Sequence, residues 1–180
     1  MSSKADGDLR IAVSGKSGCG NSTVSRLVAE RLGLRLVNYT FHSIANEQGI
    51  PFEEVCQLAE EDSSWDRYLD RRQIELAMEQ PCVLGSRLAV WLLHNAALKV
   101  YLTASIEERA RRIQEREGGE FDEVLRRTID RDRNDRERYM RLYNIDNNKF
   151  GFVDLIVNTE HHNQHQVADL IIAEVSATRT

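Results

Sequence analysis

LRIAVSGKSGCGNSTVS, from Leu9 to Ser25, is the stretch that decides the fold of this chain. Its first half is a short apolar run, with Leu9, Ile11 and Val13 spaced as in a buried strand of a parallel sheet. Three glycines follow where the chain has to turn tightly, and a helix is predicted to begin near Asn21. A strand, a glycine loop and a helix N-terminus in this order direct backbone N–H groups and the positive end of the helix dipole at one place. The stretch therefore predicts a phosphate-binding loop.

The loop departs from the usual pattern G-x-x-x-x-G-K-[ST] at its lysine. Asn21 stands where that lysine contacts the β- and γ-phosphates, and Ser22 stands where the Mg²⁺-binding hydroxyl belongs. Asparagine donates hydrogen bonds but carries no charge. Either Lys16 at the start of the loop or arginines from elsewhere supply the missing charge, or the site binds nucleotide with little catalysis.

Length, charge and cysteine content narrow the class of protein. The 180 residues suit one compact domain, and a net charge of -5 favours neither nucleic acid nor a membrane surface as a partner. The three cysteines lack metal-ligand spacing, which is typical of free thiols in a reducing compartment. The N-terminal MSSKADGD is polar, and no apolar run reaches membrane-spanning length. We expect a cytoplasmic monomer that binds small molecules.

Arginine supplies most of the positive charge. Only four of the 24 basic residues are lysine, and eleven arginines share residues 105–143 with eleven acidic residues. Arg127, Arg131, Asp135 and Arg138 recur at spacings of four, four and three, so they lie along one face of a predicted helix. This face is either an intrahelical ladder of ion pairs or a set of guanidinium groups that bind phosphates.

Strand and helix patterns alternate along the rest of the chain. This alternation predicts a doubly wound parallel sheet with helices on both faces, whose ligands bind at the carboxyl ends of the strands. Arg87 directly follows the third strand and fits such a site, and Gly118-Gly119 is the predicted hinge between two helices. After the first strand and helix, the predicted strands are 35–38, 82–85, 98–102 and 152–157, and the predicted helices are 40–48, 52–61, 64–79, 87–95, 105–117, 121–144 and 164–175.

Together these features resemble the cytidylate kinases, especially their short, archaeal-type branch. The resemblance runs from about Arg10 to Val175, and its motifs are the phosphate loop, Arg71-Arg72-Gln73, Arg87, LKVYLTASIEERARRI (98–113), R-D-x-x-D-x-x-R (131–138) and YMRLYNID (139–146). It implies the three-layer α/β/α fold of P-loop NTPases, with a five-stranded parallel sheet and an arginine-rich helical lid. The implied single domain has a core at about 9–38, 80–116 and 150–176, monophosphate-binding helices at about 39–79 and a lid at about 117–146.

The resemblance also implies an activity, the transfer of the γ-phosphoryl group of ATP to CMP with Mg²⁺ as cofactor. We expect dCMP to be an acceptor as well. Ser22 is the implied metal ligand, Arg87 is expected to hold the CMP phosphate, and Asp135 the CMP ribose. The implied ATP-binding residues are Gly15, Lys16, Ser17, Gly18, Cys19, Gly20, Asn21, Ser22 and Thr23. The implied catalytic residues are Arg131, Arg138 and Lys16, and the further CMP-binding residues are Arg131, Arg72, Asp70 and His42.

Three positions differ from the pattern of that family. Asn21 replaces the loop lysine, His42 stands where many relatives carry an arginine, and Gly85-Ser86 stands where relatives often place an acidic residue and a glycine. Two other functions stay open. One is a kinase of the same fold with another small acceptor such as shikimate. The other is a regulator that binds ATP and scarcely transfers phosphate, since residues 15–18 resemble the loops of partitioning-type ATPases.

Overall fold

A computed structural model describes residues 9–178 of the chain. Within that range it has five strands and eight helices, in the order that the sequence patterns predict. The elements are β1 (Arg10–Gly15), α1 (Asn21–Leu32), β2 (Arg35–Val37), α2 (Phe41–Gln48), α3 (Phe52–Glu61), α4 (Ser64–Glu79), β3 (Cys82–Gly85), α5 (Ala89–Leu92), β4 (Leu98–Thr103), α6 (Ile106–Glu117), α7 (Phe121–Tyr143), β5 (Leu155–Asn158) and α8 (Gln164–Thr178).

The five strands form one sheet in the order β2-β3-β1-β4-β5, and every pair of neighbours is parallel. Ile11 of the central strand β1 pairs with Val83 on one side and with Leu98 on the other. Parallel neighbours need crossover connections, which the helices provide. The predicted α/β fold with a five-stranded parallel sheet is confirmed.

Two hydrophobic clusters cover the two faces of this sheet. Ile11 and Val13 of β1 pack in one cluster with residues of α1 and α8, such as Val28 and Ile171. Ala12, between them in the sequence, packs in the other cluster with residues of α4 and α5. Successive strand residues point to opposite faces, so a strand that is apolar throughout is buried on both. The clusters fix the carboxyl ends of the strands, where the loops of the site begin.

Two predicted elements are shorter than their sequence patterns indicate. The helix predicted at 87–95 is a single turn, because the Ala89 N–H bonds to the Ser86 carbonyl in a turn before it and the His94 N–H bonds to the Leu92 carbonyl in a turn after it. The strand predicted to begin at 152 begins at Leu155, because the Val153 N–H bonds to the Phe150 carbonyl in a turn. Both local patterns give way to contacts made by their neighbours.

Helices α6 and α7 pack on each other through a small cluster of their own, formed by Ala110, Ile113 and Val124. Gly118 and Gly119 separate the two helices and have φ of 77° and 100°, in the region that glycine adopts without strain. Across residues 9–178, no helix combines the length and apolar character needed to cross a membrane.

Candidate active site

A cleft of about 810 Å³ opens where β1 and β3 end. The phosphate loop (residues 15–23) forms one part of its wall, and all nine loop residues expected to bind ATP line it. On one side the wall continues with Arg112 and Arg116 of α6 and with residues 162–164. On the other side it continues with residues 38–41 and with α4. The phosphate loop therefore lies between two sets of lining residues, which leaves a place for a ligand on each side of it.

The backbone of the phosphate loop has the conformation of an anion cradle. Gly18 and Gly20 have φ of 84° and 88°, and α1 begins directly after Gly20. A Cβ atom at Gly18 would lie 2.8 Å from the Arg109 carbonyl oxygen, so this position has room for glycine alone. The first N–H groups of a helix have no partner within the helix and are available to a bound anion.

The side chain of Asn21 turns back onto its own helix. Its Oδ1 accepts a hydrogen bond from Ser25 Oγ at 3.0 Å. Gly85 lies against the same pair, since a Cβ atom there would be 2.5 Å from Ser25 Oγ and 3.4 Å from Asn21 Oδ1. Asn21 thus packs beside the end of β3 and brings no positive charge to the cleft.

Two cations meet the loop near the middle of α7. Lys16 Nζ lies 3.6 Å from Asp132 Oδ2, and its side chain lines the cleft while remaining partly exposed. Arg131 donates a hydrogen bond to Ser17 Oγ at 3.1 Å. Lys16 and Arg131, both predicted catalytic residues, are thereby held at the first residues of the phosphate loop.

Two arginines of α6 bind the carbonyl oxygens of the loop. Buried Arg109 donates to the Ser17 carbonyl at 3.2 Å and pairs with both oxygens of Asp132. Arg112 donates to the Gly18 carbonyl at 3.3 Å. Both arginines lie within the motif at 98–113, but the sequence alone predicted no role for them.

Arg87, Asp135 and Arg138 form a second charged cluster. The Asp135 carboxylate pairs with Arg87 and, at 3.0 Å, with Arg138. Arg87, Arg127, Arg131 and Arg138 together line a smaller cavity of about 420 Å³ beside the cleft. Within the described residues Asp135 pairs with Arg138 on its own helix and with Arg87 from outside it, so the arginine face of α7 is more than an intrahelical ladder. Four guanidinium groups around one small cavity suit a phosphate.

Two carboxyl groups of α4 face the cleft. Burial raises the pKa of Asp66, whose Oδ1 lies 3.7 Å from Arg138 Nε. Burial also raises the pKa of Asp70, to about 6, although a hydrogen bond from Tyr143 at 2.7 Å acts to lower it. Gln73, one turn further along α4, donates to the Tyr39 carbonyl at 2.8 Å. Asp66, Gln73 and Tyr143 were not singled out from the sequence as site residues.

Arg131 and Asp135 line the smaller cavity beside the cleft, whereas two other predicted CMP-binding residues, His42 and Arg72, line neither of these cavities. The exposed His42 ring stacks on Phe52, with the ring centroids 3.6 Å apart. Arg72 pairs with Glu75 at 3.3 Å on the outer part of α4. Roles for these two residues in CMP binding stay predictions.

The predicted metal ligand is a single hydroxyl group. Ser22 lies exposed in the first turn of α1 and lines the cleft. Among residues 9–178 no group of three or more His, Cys, Asp or Glu side chains could hold a metal ion. Mg²⁺ bound with a nucleotide takes most of its ligands from phosphates and water, so one protein hydroxyl fits such an ion.

Comparisons with known proteins agree with this geometry. The model of the cytidylate kinase-like family matches residues 10–161. Cytidylate kinase 2 of Borreliella afzelii is 46% identical over 171 residues, which cover 93% of this chain and 96% of that protein. Cytidylate kinase of Pyrococcus horikoshii is 40% identical over 169 residues, which cover 93% of this chain and 88% of that protein.

Solved structures show the same fold at low sequence identity. Shikimate kinase from Bacteroides thetaiotaomicron has a TM-score of 0.63 at 18% identity, with 94% of this chain and 98% of that chain covered. Deoxyadenosine kinase from M. mycoides with bound dATP has a TM-score of 0.59 at 16% identity, with 93% and 100% covered. These two likenesses establish only the P-loop kinase fold. Because the family model matches most of the chain, and close relatives align over nearly their whole length, this protein belongs to the cytidylate kinase-like family.

Proposed function

We propose that this protein is a nucleoside monophosphate kinase that transfers the γ-phosphoryl group of ATP to CMP. The observation that carries the proposal is the placement of Arg87 and Arg138 in the same cleft as the phosphate loop. A phosphoryl transfer between two nucleotides needs two phosphate sites that face each other, and we assign the loop to one and the two arginines to the other. The names of the relatives, cytidylate kinases at 46% and 40% identity, support CMP as the acceptor.

The donor side of the cleft begins at the phosphate loop. The loop N–H groups and the N-terminus of α1 would bind the ATP phosphates, and residues 162–164 and Arg112 would flank the adenine end. Mg²⁺, when bound with ATP, would neutralise charge on the β- and γ-phosphates, and Ser22 is the residue that would hold it.

The acceptor side requires positioning more than covalent chemistry. The attacking phosphate oxygen of CMP is already ionised, so the protein has to align it with the γ-phosphate and neutralise the charge between them. Arg87 would bind the CMP phosphate, Asp135 the ribose, and Arg131 and Arg138 would bridge the two phosphates. Lys16 would supply the charge that Asn21 lacks.

The family resemblance supports four further proposals, on a second acceptor, a lid, the oligomeric state and the cellular role. dCMP is the second acceptor, residues 117–146 act as a lid within one kinase domain, and the protein works as a monomer in pyrimidine nucleotide metabolism of the cytoplasm. Closing of the lid would exclude water, the competing acceptor for the γ-phosphoryl group. The glycine pair at 118–119 is where the backbone could absorb that motion.

An acceptor panel tests the proposal. ADP formation from Mg·ATP is measured with CMP, dCMP, UMP, AMP, GMP and shikimate, and without an acceptor. We expect rapid turnover with CMP and dCMP, lost in Arg87→Ala and retained in Arg133→Ala, an exposed arginine of α7 that pairs with Asp130. Turnover with shikimate or with a purine nucleotide instead would contradict the assigned acceptor. ATP binding without turnover on any acceptor would favour a regulatory protein.

A further inference from the structure

Asp70 has one oxygen fixed and one oxygen free within the described residues. Tyr143, at the end of α7, donates to its Oδ2 at 2.7 Å, and residues 9–178 provide no other hydrogen bond to this carboxyl group. Asp70 lines the cleft together with Leu69 and Gln73 of α4 and with Phe41. Its second oxygen, Oδ1, is therefore available to a ligand on the acceptor side.

The carboxyl groups of Asp66 in the cleft and of Asp135 in the smaller cavity beside it are already paired with cations. Asp66 lies 3.7 Å from the Arg138 guanidinium, and Asp135 pairs with Arg87 and Arg138. Asp70 instead has a neutral phenol as its partner. A carboxylate without a cationic partner favours a ligand that donates hydrogen bonds.

We infer that Asp70 selects the acceptor base by accepting a hydrogen bond from the exocyclic amino group of cytosine, and that Tyr143 positions Asp70 for this contact. The inference rests on the proposed kinase function and names its specificity determinant. Cytosine presents an N–H donor at the position where uracil presents a carbonyl oxygen. A carboxylate at that position attracts the first base and repels the second. Phe41 and Leu69 offer apolar surface for the faces of a pyrimidine ring.

Protonation of Asp70 would alter this selection. The charged or titratable groups that act on it are Asp66 on its own helix and Arg138 and Tyr143 on α7. Burial raises the pKa of Asp70 to about 6. Above that pH the carboxylate accepts from cytosine, and below it the carboxylic acid can donate to the uracil oxygen. The preference for CMP over UMP should therefore increase as the pH rises through about 6.

The test measures kcat/KM for CMP and for UMP between about pH 5 and pH 8, and compares their ratio. The two acceptors carry the same ribose phosphate, so titration of that phosphate cancels in the ratio. Asp70→Asn should lower the ratio about tenfold or more and abolish its pH dependence, because an amide can face either base. Tyr143→Phe removes the hydrogen bond that lowers the pKa of Asp70, so it should move the midpoint to higher pH. Asp169→Asn, an exposed aspartate of α8 that pairs with Arg31, is the matched control.

The outcomes separate this inference from the proposed function. If the wild-type protein does not phosphorylate CMP, the proposed function fails and the inference fails with it. If it does, and folded Asp70→Asn keeps the wild-type ratio and pH dependence, only the inference is wrong. A merely structural role for Asp70 would lower both rates equally and leave the ratio unchanged. If Asp70→Asn does not fold, a ratio that stays flat with pH in the wild type and in Tyr143→Phe overturns the inference.

Discussion

The ammonium nitrogen of Lys16 lies 3.6 Å from Oδ2 of Asp132, so an ion pair joins the phosphate loop to the middle of α7. The same carboxylate accepts hydrogen bonds of 2.6 and 3.1 Å from Arg109, which is 4% exposed. One acidic side chain thus organises a cation of the loop and a buried cation of α6. The two cations have different proposed tasks. Lys16 acts on phosphate, whereas Arg109 holds the loop through the Ser17 carbonyl.

Lys16→Ala should impair catalysis while preserving the fold. Its pair with Asp132 is partly exposed, so the loss in the free energy of unfolding should be at most about 1 kcal/mol. We expect kcat to fall about 100-fold, because a charge near the transferring phosphate is removed. Steady-state kinetics with CMP check this, and Lys149→Ala, an exposed lysine, serves as the control. Normal turnover in Lys16→Ala would assign the missing loop charge to the arginines alone.

Asp132→Asn should destabilise the protein strongly. The substitution leaves the Arg109 guanidinium buried without its carboxylate, which costs about 3 kcal/mol in the free energy of unfolding. Asp130→Asn is the matched control, since Asp130 pairs with Arg133 on the exposed side of the same helix and should change stability by less than about 1 kcal/mol. Urea denaturation measures both, and equal effects would show that Arg109 finds another partner.

Arg131→Ala and Arg138→Ala should each lower kcat far more than they lower affinity for ATP. Both guanidinium groups are proposed to act on the phosphate during transfer, so their loss removes an interaction that is strongest in the transition state. We expect a decrease of about 100-fold or more in kcat, and a change of about threefold or less in the Kd for ATP. Rapid quench experiments and equilibrium binding separate the two quantities. Equal losses in both would contradict the lid assignment.

Gly85→Ala should destabilise the protein through a contact with α1. The added Cβ would lie 2.5 Å from Ser25 Oγ and 2.8 Å from Ser25 Cβ, which predicts a loss of about 1 to 3 kcal/mol. Gly151→Ala is the control, because a Cβ atom there would meet nothing within 4 Å. Adding Ser25→Gly to Gly85→Ala removes both contacted atoms and should recover part of the loss. Thermal unfolding of the four proteins gives the comparison, and the absence of any recovery would exclude this contact as the cause.

Asp70→Asn should stabilise the protein at neutral pH. The pKa of Asp70 in the folded state, about 6, lies above the unfolded value, so folding disfavours the ionised form. That penalty is fully present above about pH 6 and absent below about pH 4, where the carboxyl group is protonated in both states. The gain should be on the order of 2 kcal/mol near pH 8 and should vanish near pH 4. Urea denaturation at several pH values measures it, and a gain independent of pH would point to a cause other than titration.

Much of the fold could be predicted because its local signals agree with one another. The apolar spacing of Ile11 and Val13, the glycines after them and the helix from Asn21 all indicate one strand, one loop and one helix. The prediction was wrong at the ends of α5 and β5. Near α5, Ser14 contacts Ser86 and Val90, which lie 72 and 76 positions away, and no local pattern reports such contacts. At β5 the turn that joins Val153 to Phe150 is local, but the apolar run does not distinguish it from the strand that follows.

The candidate site could be predicted where it consists of motifs. The loop residues and Arg87 stand in recognisable order, whereas the partnership of Asp70 with Tyr143 spans 73 positions and two helices. A sequence pattern also cannot report that His42 stacks on Phe52, since this contact depends on how α2 meets α3. Asp66 and Gln73, which line the acceptor side, and Tyr143, which binds Asp70, therefore became visible only in the folded chain.

The arginines of α6 give the phosphate loop a defined shape without a nucleotide. Because Arg109 and Arg112 hold the Ser17 and Gly18 carbonyls, the peptide groups of the loop cannot rotate freely. Binding of a triphosphate then requires little ordering of the backbone, and its favourable free energy is not spent on arranging the receptor. Affinity for the donor thus depends in part on Arg109, a buried side chain that acts through the shape of the loop.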